Sequence, residues 1–153
     1  MVTVDHEGPP TMNDAANAPL PGYTIYDPVD PFENRAGPFW YAQVDGAPPK
    51  FAVQVTEQHC NSQGIVHGGL MMTMIDLALV AVSKIAATDR LVTVSLNAEF
   101  VASANVGDLI EASGTLTRRT RSLAFARGQV TCGESVLLTA SAVLKPIGPR
   151  PVE

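Results

Sequence analysis

Between residues 68 and 87 the apolar side chains run almost all the way round a helical wheel, the pattern of a helix enclosed by other structure. It is the only long helical period in the sequence, so whatever encloses it must be built from strands. The residues that follow supply them. Val92, Val94, Leu96, Ala98 and Phe100 alternate with Thr93, Ser95, Asn97 and Glu99, a period of two that predicts a strand with one apolar and one polar face. Three more strands are expected near 109–118, 123–131 and 136–145, joined by the short turns Arg119-Thr120-Arg121 and Cys132-Gly133-Glu134. Short turns between consecutive strands make an antiparallel sheet, and its apolar face needs the helix as a covering layer. The expected fold is α+β: a curved antiparallel sheet wrapped around one long central helix.

The N-terminal third is organised differently. Of the 12 prolines, nine lie in residues 1–50, and residues 1–38 show no sustained period, so they read as an irregular proline-rich arm with its first twenty residues weakly ordered. Inside it, Asp30-Pro31-Phe32-Glu33 has the proline-first pattern of a short helix, which Gly37-Pro38 would end. Residues 39–44 and 50–55 predict two strands of a hairpin turned by Gly46-Ala47-Pro48-Pro49. The domain is expected to span 39–147, with a tail at 148–153.

A chain of 153 residues that is 46% hydrophobic and 16% charged has apolar surface to spare, some of it for contacts between subunits. The net charge of -5 argues against nucleic acid or anionic lipid as a partner. Cys60 and Cys132 fit neither a disulfide framework nor a metal-ligand spacing, which suits a reduced, cytoplasmic protein. Asp5, Glu7 and nearby prolines stand where a signal peptide needs a basic and then an apolar run. The apolar stretch 70–82 is too short to span a bilayer.

Asp76 lies among Met72, Met74, Ile75, Leu77, Leu79 and Val80, where a carboxylate is costly and a purely structural helix would carry leucine. Thr73 and Ser83 fall within about 80° and 20° of it on a 3.6-residue wheel, drawing one polar stripe along an apolar helix. The stripe suggests a wet cleft or polar interface; the plainer reading is an aspartate satisfied by a local hydroxyl. Just before the helix, Asn61 to His67-Gly68-Gly69 brings glycines to the helix start, where a substrate can approach free backbone N–H groups. Taken singly, Asn61 and His67 are ordinary loop or capping residues. His59, Cys60 and His67 lack a second pair at zinc spacing, so no metal is expected. Gly68 and Asp76 are separated by about 12 Å of helical rise, too far to converge on one carbonyl. Two antiparallel copies of the helix in a twofold dimer would bring Gly68 of one chain to Asp76 of the other.

Asn61, Gly64, His67-Gly68-Gly69 and Asp76, in this order and spacing, resemble the signature of the PaaI-type acyl-CoA thioesterases of the 4-hydroxybenzoyl-CoA thioesterase superfamily, and the similarity extends from about Asp30 to Lys145. The resemblance implies a hotdog fold, a homo-oligomer (a dimer or dimer of dimers) with active sites between subunits, and an acyl-CoA substrate with no separate cofactor. It makes Asp76 the nucleophile or the base that activates water, and Gly68 a donor to the thioester oxygen. Asn61 and His67 would position substrate and water, Gly69 would admit the substrate, and Thr93 would help hold the water. Arg118, Arg119 and Arg121 would grip the phosphates of coenzyme A, unless they simply solvate a hairpin tip. Phe39, Trp40 and Tyr41 would line an acyl pocket or simply pack. Hotdog hydratases pair an Asp with a His about five residues apart on a loop, a pairing not found around Asp76. A non-catalytic acyl-CoA-binding module would dispense with the acidic residue at 76, which is present.

Overall fold

The computed structural model of the chain describes residues 18–26, 30–43, 45–86 and 89–148. Seven runs rich in β-branched and aromatic residues form strands: β1 (Thr24–Tyr26), β2 (Phe39–Ala42), β3 (Lys50–Gln54), β4 (Arg90–Phe100), β5 (Leu109–Arg119), β6 (Ala124–Cys132) and β7 (Ser135–Ile147). They pair antiparallel into one sheet of order β1-β2-β3-β5-β6-β7-β4, so β1 and β4 are its edges. Among the described residues two α-helices accompany them, α1 (Pro31–Ala36) and α2 (Gly68–Ser83). Among the described residues no helix is long and apolar enough to cross a membrane.

The core lies between α2 and one face of the sheet. Met74, Ile75, Ala78 and Leu79 of the helix meet Ile110, Ala112, Ala126, Val130, Leu138 and Leu144, all buried. Each buried Leu, Ile or Met is worth about 1.5–3 kcal/mol in removed apolar surface. The alanines keep the helix close, and a glycine pair brings it closer. Gly114 and Gly128 face each other across β5 and β6. A Cβ on the first would come within 2.9 Å of Leu79 Cδ2, and on the second within 3.0 Å of Ile75 Cδ1.

Three sequence expectations need correction. Helix α2 stops at Ser83 with Lys84 as its cap, and does not run to residue 87, which lies outside the described residues. The Asp89 carboxylate takes the N–H groups of Ile85 and Ala86 and so offers the chain an alternative to helical bonding. Second, the arm is not irregular throughout. Strand β1 extends the sheet, and Tyr23 is buried with Trp40 and Ala52 in a small outer cluster. With only three residues, β1 is too short to show a period; residues 1–17 lie outside the described residues. The short helix with Asp30 as cap is present, Asp30 accepting the N–H groups of Phe32 and Glu33 at 2.9 and 3.1 Å. Third, β4 does not present two clean faces. Thr93 stands opposite Leu144 and Ser95 opposite Val143, leaving Val94 as the extra residue of a β-bulge.

Candidate active site

The bulge decides where Thr93 points. By strict alternation Thr93 shares a face with Ser95, Asn97 and Glu99, opposite to Leu96 and Ala98. The extra residue reverses this. Thr93 pairs with Leu144, on the same inward-facing set as Ala142 opposite Leu96 and Ala140 opposite Ala98. Its Oγ1 donates to Asp76 Oδ1 at 2.6 Å. Asp76 is half-buried on the side of α2 turned from the sheet centre, beside Thr73. Ser83, the third member of the expected polar stripe, is not there: it is fully buried, and among the described residues its hydroxyl meets no partner.

The loop into α2 is held by its own backbone. Asn61 N–H bonds to Ile65 O and Gly64 N–H to Asn61 O, with Gly64 at φ +77°, a left-handed conformation that glycine adopts without strain. Asn61 Oδ1 accepts Gln63 N–H at 2.9 Å. His67 caps the helix, its Nδ1 accepting Gly69 N–H at 2.8 Å, and its carbonyl accepts Leu70 N–H. With Nδ1 as acceptor, a neutral His67 carries its proton on Nε2. Gly69 N–H is thus committed to the cap. Among the described residues Gly68 N–H meets no acceptor, and a Cβ at Gly68 would come within 3.0 Å of the Phe100 ring. His59 is structural: it is buried, with Nδ1 accepting Thr56 N–H and Nε2 3.3 Å from Gly37 O. Among the described residues no three His, Cys, Asp or Glu side chains are grouped to hold a metal ion.

Asp76 and Thr93 line a groove of about 1070 Å³ together with Tyr26, Tyr41, Phe51 and Val80. Tyr26, Tyr41 and Phe51 form an aromatic wall, with ring centroids 5.1–6.3 Å apart. Of the aromatic residues at 39–41 only Tyr41 reaches the groove; Phe39 is in the core and Trp40 faces the outer cluster. On the other side of Asp76 a recess of about 370 Å³ is lined by Asp30, Phe32, Glu33, Met72, Thr73 and Leu77. Glu33 lines both hollows with Asp76, a placement that sequence reading missed because a helix-start pattern accounted for it. Its carboxyl is pushed above the usual carboxylate range, chiefly by burial and then by Asp30 and Asp76, with Lys84 opposing. A third recess of about 310 Å³ joins His67, Gly69 and Thr73 to Phe32, Arg35 and Gln58. Asn61 lines none of these three hollows.

The three arginines of the expected phosphate grip are not brought together. A second bulge, at Thr117, turns Arg119 inward. There it donates to Ser83 O and pairs with Asp89 at 3.2 Å, an anchor for the end of α2. Arg118 and Arg121 are exposed.

Residues 63–139 match the family model of the thioesterase superfamily, and a Pseudomonas aeruginosa protein named as an esterase is 33% identical over 116 residues, 74% of this chain and 86% of that one. The chain belongs to the thioesterase superfamily. Mouse acyl-coenzyme A thioesterase 13 is 31% identical over 93 residues, which span 58% of this superfamily member and 65% of the mouse protein. Solved structures carry the same fold. The phenylacetic acid degradation protein PaaI of Thermus thermophilus matches with a TM-score of 0.68 at 21% identity over 77% of this chain and 100% of that one. A Streptococcus pneumoniae thioesterase protein with coenzyme A matches at 0.64 and 18% identity, over 73% and 90%. The antiparallel sheet with one long helix is the hotdog fold, and membership places the chain among thioester hydrolases.

Proposed function

We propose that this protein hydrolyses an acyl-CoA thioester to the free acid and CoA, with Asp76 as the group that activates water or attacks the carbonyl. The observation that carries the reading is the 2.6 Å bond from Thr93 to Asp76, made possible by the Val94 bulge. A hydroxyl beside a carboxylate at a groove can hold a water in line with a carbonyl, and thioesters need little more than a polarising donor and an activated nucleophile. The coenzyme A in the Streptococcus pneumoniae structure and the name of the mouse relative support CoA as the leaving group. His67 presents Nε2–H beside the helix start, and Gly69 gives its N–H to the cap while keeping that approach open. Asn61 positions the loop that carries them, and exposed Arg118 and Arg121 serve the CoA phosphates.

The oxyanion donor comes from a second copy. Strand β4 is an edge of 11 residues with Val94 59% and Phe100 55% exposed, an apolar edge that invites another strand. Twofold antiparallel pairing of two β4 strands sets the Thr93 end of one beside the Phe100 end of the other. Asp76 sits at Thr93 and Gly68 at Phe100. The pairing therefore carries Gly68 of the partner subunit toward Asp76, and its free N–H polarises the thioester oxygen.

Release of CoA from a panel of short, medium, long-chain and aryl acyl-CoAs tests the reading. Turnover of at least one member is expected, with Asp76→Ala lowering kcat by about 10²-fold or more, the scale of a lost general base. No turnover of any member, or an unimpaired Asp76→Ala, would overturn it.

A further inference from the structure

The structure brings to Asp76 a second carboxyl group that the reaction above leaves unused. Glu33 lies in the first turn of α1, where a glutamate usually serves the helix end. It does not do so here. Asp30 alone caps α1, and among the described residues the Glu33 carboxyl makes no hydrogen bond or ion pair. It is half-buried and lines both hollows that contain Asp76, the 370 Å³ recess with Thr73 and the 1070 Å³ groove with Thr93. A carboxyl held unpaired in a cavity beside another carboxylate is destabilising unless it carries a proton.

The groups around it are Asp30 from its own helix, Asp76 and Lys84 from α2, and Tyr26 from β1. Asp89 and Arg90 line the far part of the groove, and both have partners: Arg119 for Asp89 and Gly148 O for Arg90. Two carboxylates, Asp30 and Asp76, against one lysine favour the neutral form of Glu33, in the same direction as its burial. Asp76, by contrast, has a partner, accepting a hydrogen bond from the Thr93 hydroxyl. Two carboxyls in one cavity with such unlike surroundings divide into an acid and a base.

Building on the thioester-hydrolysis reading, we propose that Glu33 is the general acid that protonates the departing thiolate. In the water route Asp76 removes a proton from water as its oxygen bonds to the carbonyl carbon, giving a tetrahedral oxyanion. The C–S bond then breaks, the carbonyl re-forms, and the sulfur takes the proton of Glu33. The products are a carboxylic acid and a thiol, with Asp76 protonated and Glu33 ionised. Asp76 returns its proton to Glu33, and the product acid loses its own to solvent. If Asp76 itself attacks, the sulfur leaves in the same way and draws on the same donor; water then hydrolyses the acyl-Asp76 anhydride, giving one proton back to Glu33, and the product acid and Asp76 are released.

The test compares a CoA ester with a thiophenyl ester of the same acyl group, whose thiolate leaves without help. Glu33→Gln is expected to lower kcat on the CoA ester by about 10²-fold, the usual contribution of a positioned acid, and to change the thiophenyl ester by less than about threefold. Glu33→Asp, which keeps a donor, is expected to retain most CoA-ester turnover. The wild-type rate on the CoA ester falls as rising pH ionises Glu33, and Glu33→Gln lacks that descending limb. Because Glu33 binds its proton more tightly folded than unfolded, ionising it costs stability as pH rises. Glu33→Gln therefore melts no lower than wild type at pH 8. Equal losses on both esters, a descending limb that survives in Glu33→Gln, or no loss on the CoA ester would overturn the proposal. Absence of wild-type turnover on every thioester would instead remove the parent reading.

Discussion

At the scale of single residues, Asp76 and Thr93 differ in how they could be read. A carboxylate among Met74, Ile75, Leu77 and Leu79 announces itself by its cost. Thr93 is one hydroxyl among several in an alternating strand, and the alternation assigns it to the wrong face. Only the resemblance singled it out. Glu33 was hidden for another reason: the proline-first helix pattern explains a glutamate at that position, and its neighbour Asp76 is distant in sequence. Arg119 looked like one of three equivalent cations, yet a bulge makes it an inward anchor for Ser83 and Asp89. If the Thr93 hydroxyl orients Asp76 or its water, Thr93→Val keeps the shape and removes one hydrogen bond to a charged group, worth about 1.5–3 kcal/mol. A fall in kcat of about 10- to 100-fold is expected. KM should change little and Thr93→Ser should recover most of the rate. Steady-state kinetics of the three proteins decide the matter, and a Thr93→Val enzyme with wild-type kcat would remove the hydroxyl from the mechanism.

At the scale of elements, what was legible followed from length. Helix α2 and strands β5, β6 and β7 are long enough for their periods to outvote single residues, and for the strands the predicted and observed ends differ by no more than two positions. Strand β1 has three residues and no such vote. Bulges are the other blind spot. An extra residue leaves the run of strand-forming side chains intact while exchanging the faces on one side of it. In β4 the exchange matters because it falls between the core-facing part, Leu96 and Ala98, and the site-facing part, Thr93. Deleting Val94 should remove the bulge without moving either flank, since Thr93 already stands opposite Leu144 and Ser95 opposite Val143, so Thr93 stays on the Asp76 side and keeps its 2.6 Å bond. Since Leu96, Ala98 and Phe100 keep their partners, the sheet should still form. The expected protein is folded by circular dichroism, with a cooperative melt, and turns over well above the rate of Thr93→Val. A folded deletion variant as slow as Thr93→Val would show that the pairing of Thr93 with Leu144 is not what aims the hydroxyl.

At the scale of the whole molecule, the proposed reaction draws on groups that one chain does not bring together. Gly68 and Asp76 lie on the same helix but against opposite ends of β4, one at the Phe100 ring and the other at Thr93. The same strand is the sheet's long uncovered edge, so one contact would satisfy its unpaired backbone groups, cover Val94 and Phe100, and join the two half-sites. Light scattering is therefore expected to find at least a dimer in every active preparation; an active monomer would refute the shared site. Complementation makes the prediction sharper. Gly68→Pro removes the N–H donor at a first helical position whose backbone angle proline tolerates, and Asp76→Ala removes the carboxylate. Each is expected to be inactive alone. In a heterodimer the Gly68→Pro chain supplies Asp76 and the Asp76→Ala chain supplies Gly68, so one of its two sites is whole. Equal mixing makes half the dimers heterodimers, and restored activity should approach about a quarter of wild type for a twofold assembly. Subunit exchange is verified independently with differently tagged chains. Exchange without any recovery would mean that each chain works with its own Gly68, and that β4 pairs for stability alone.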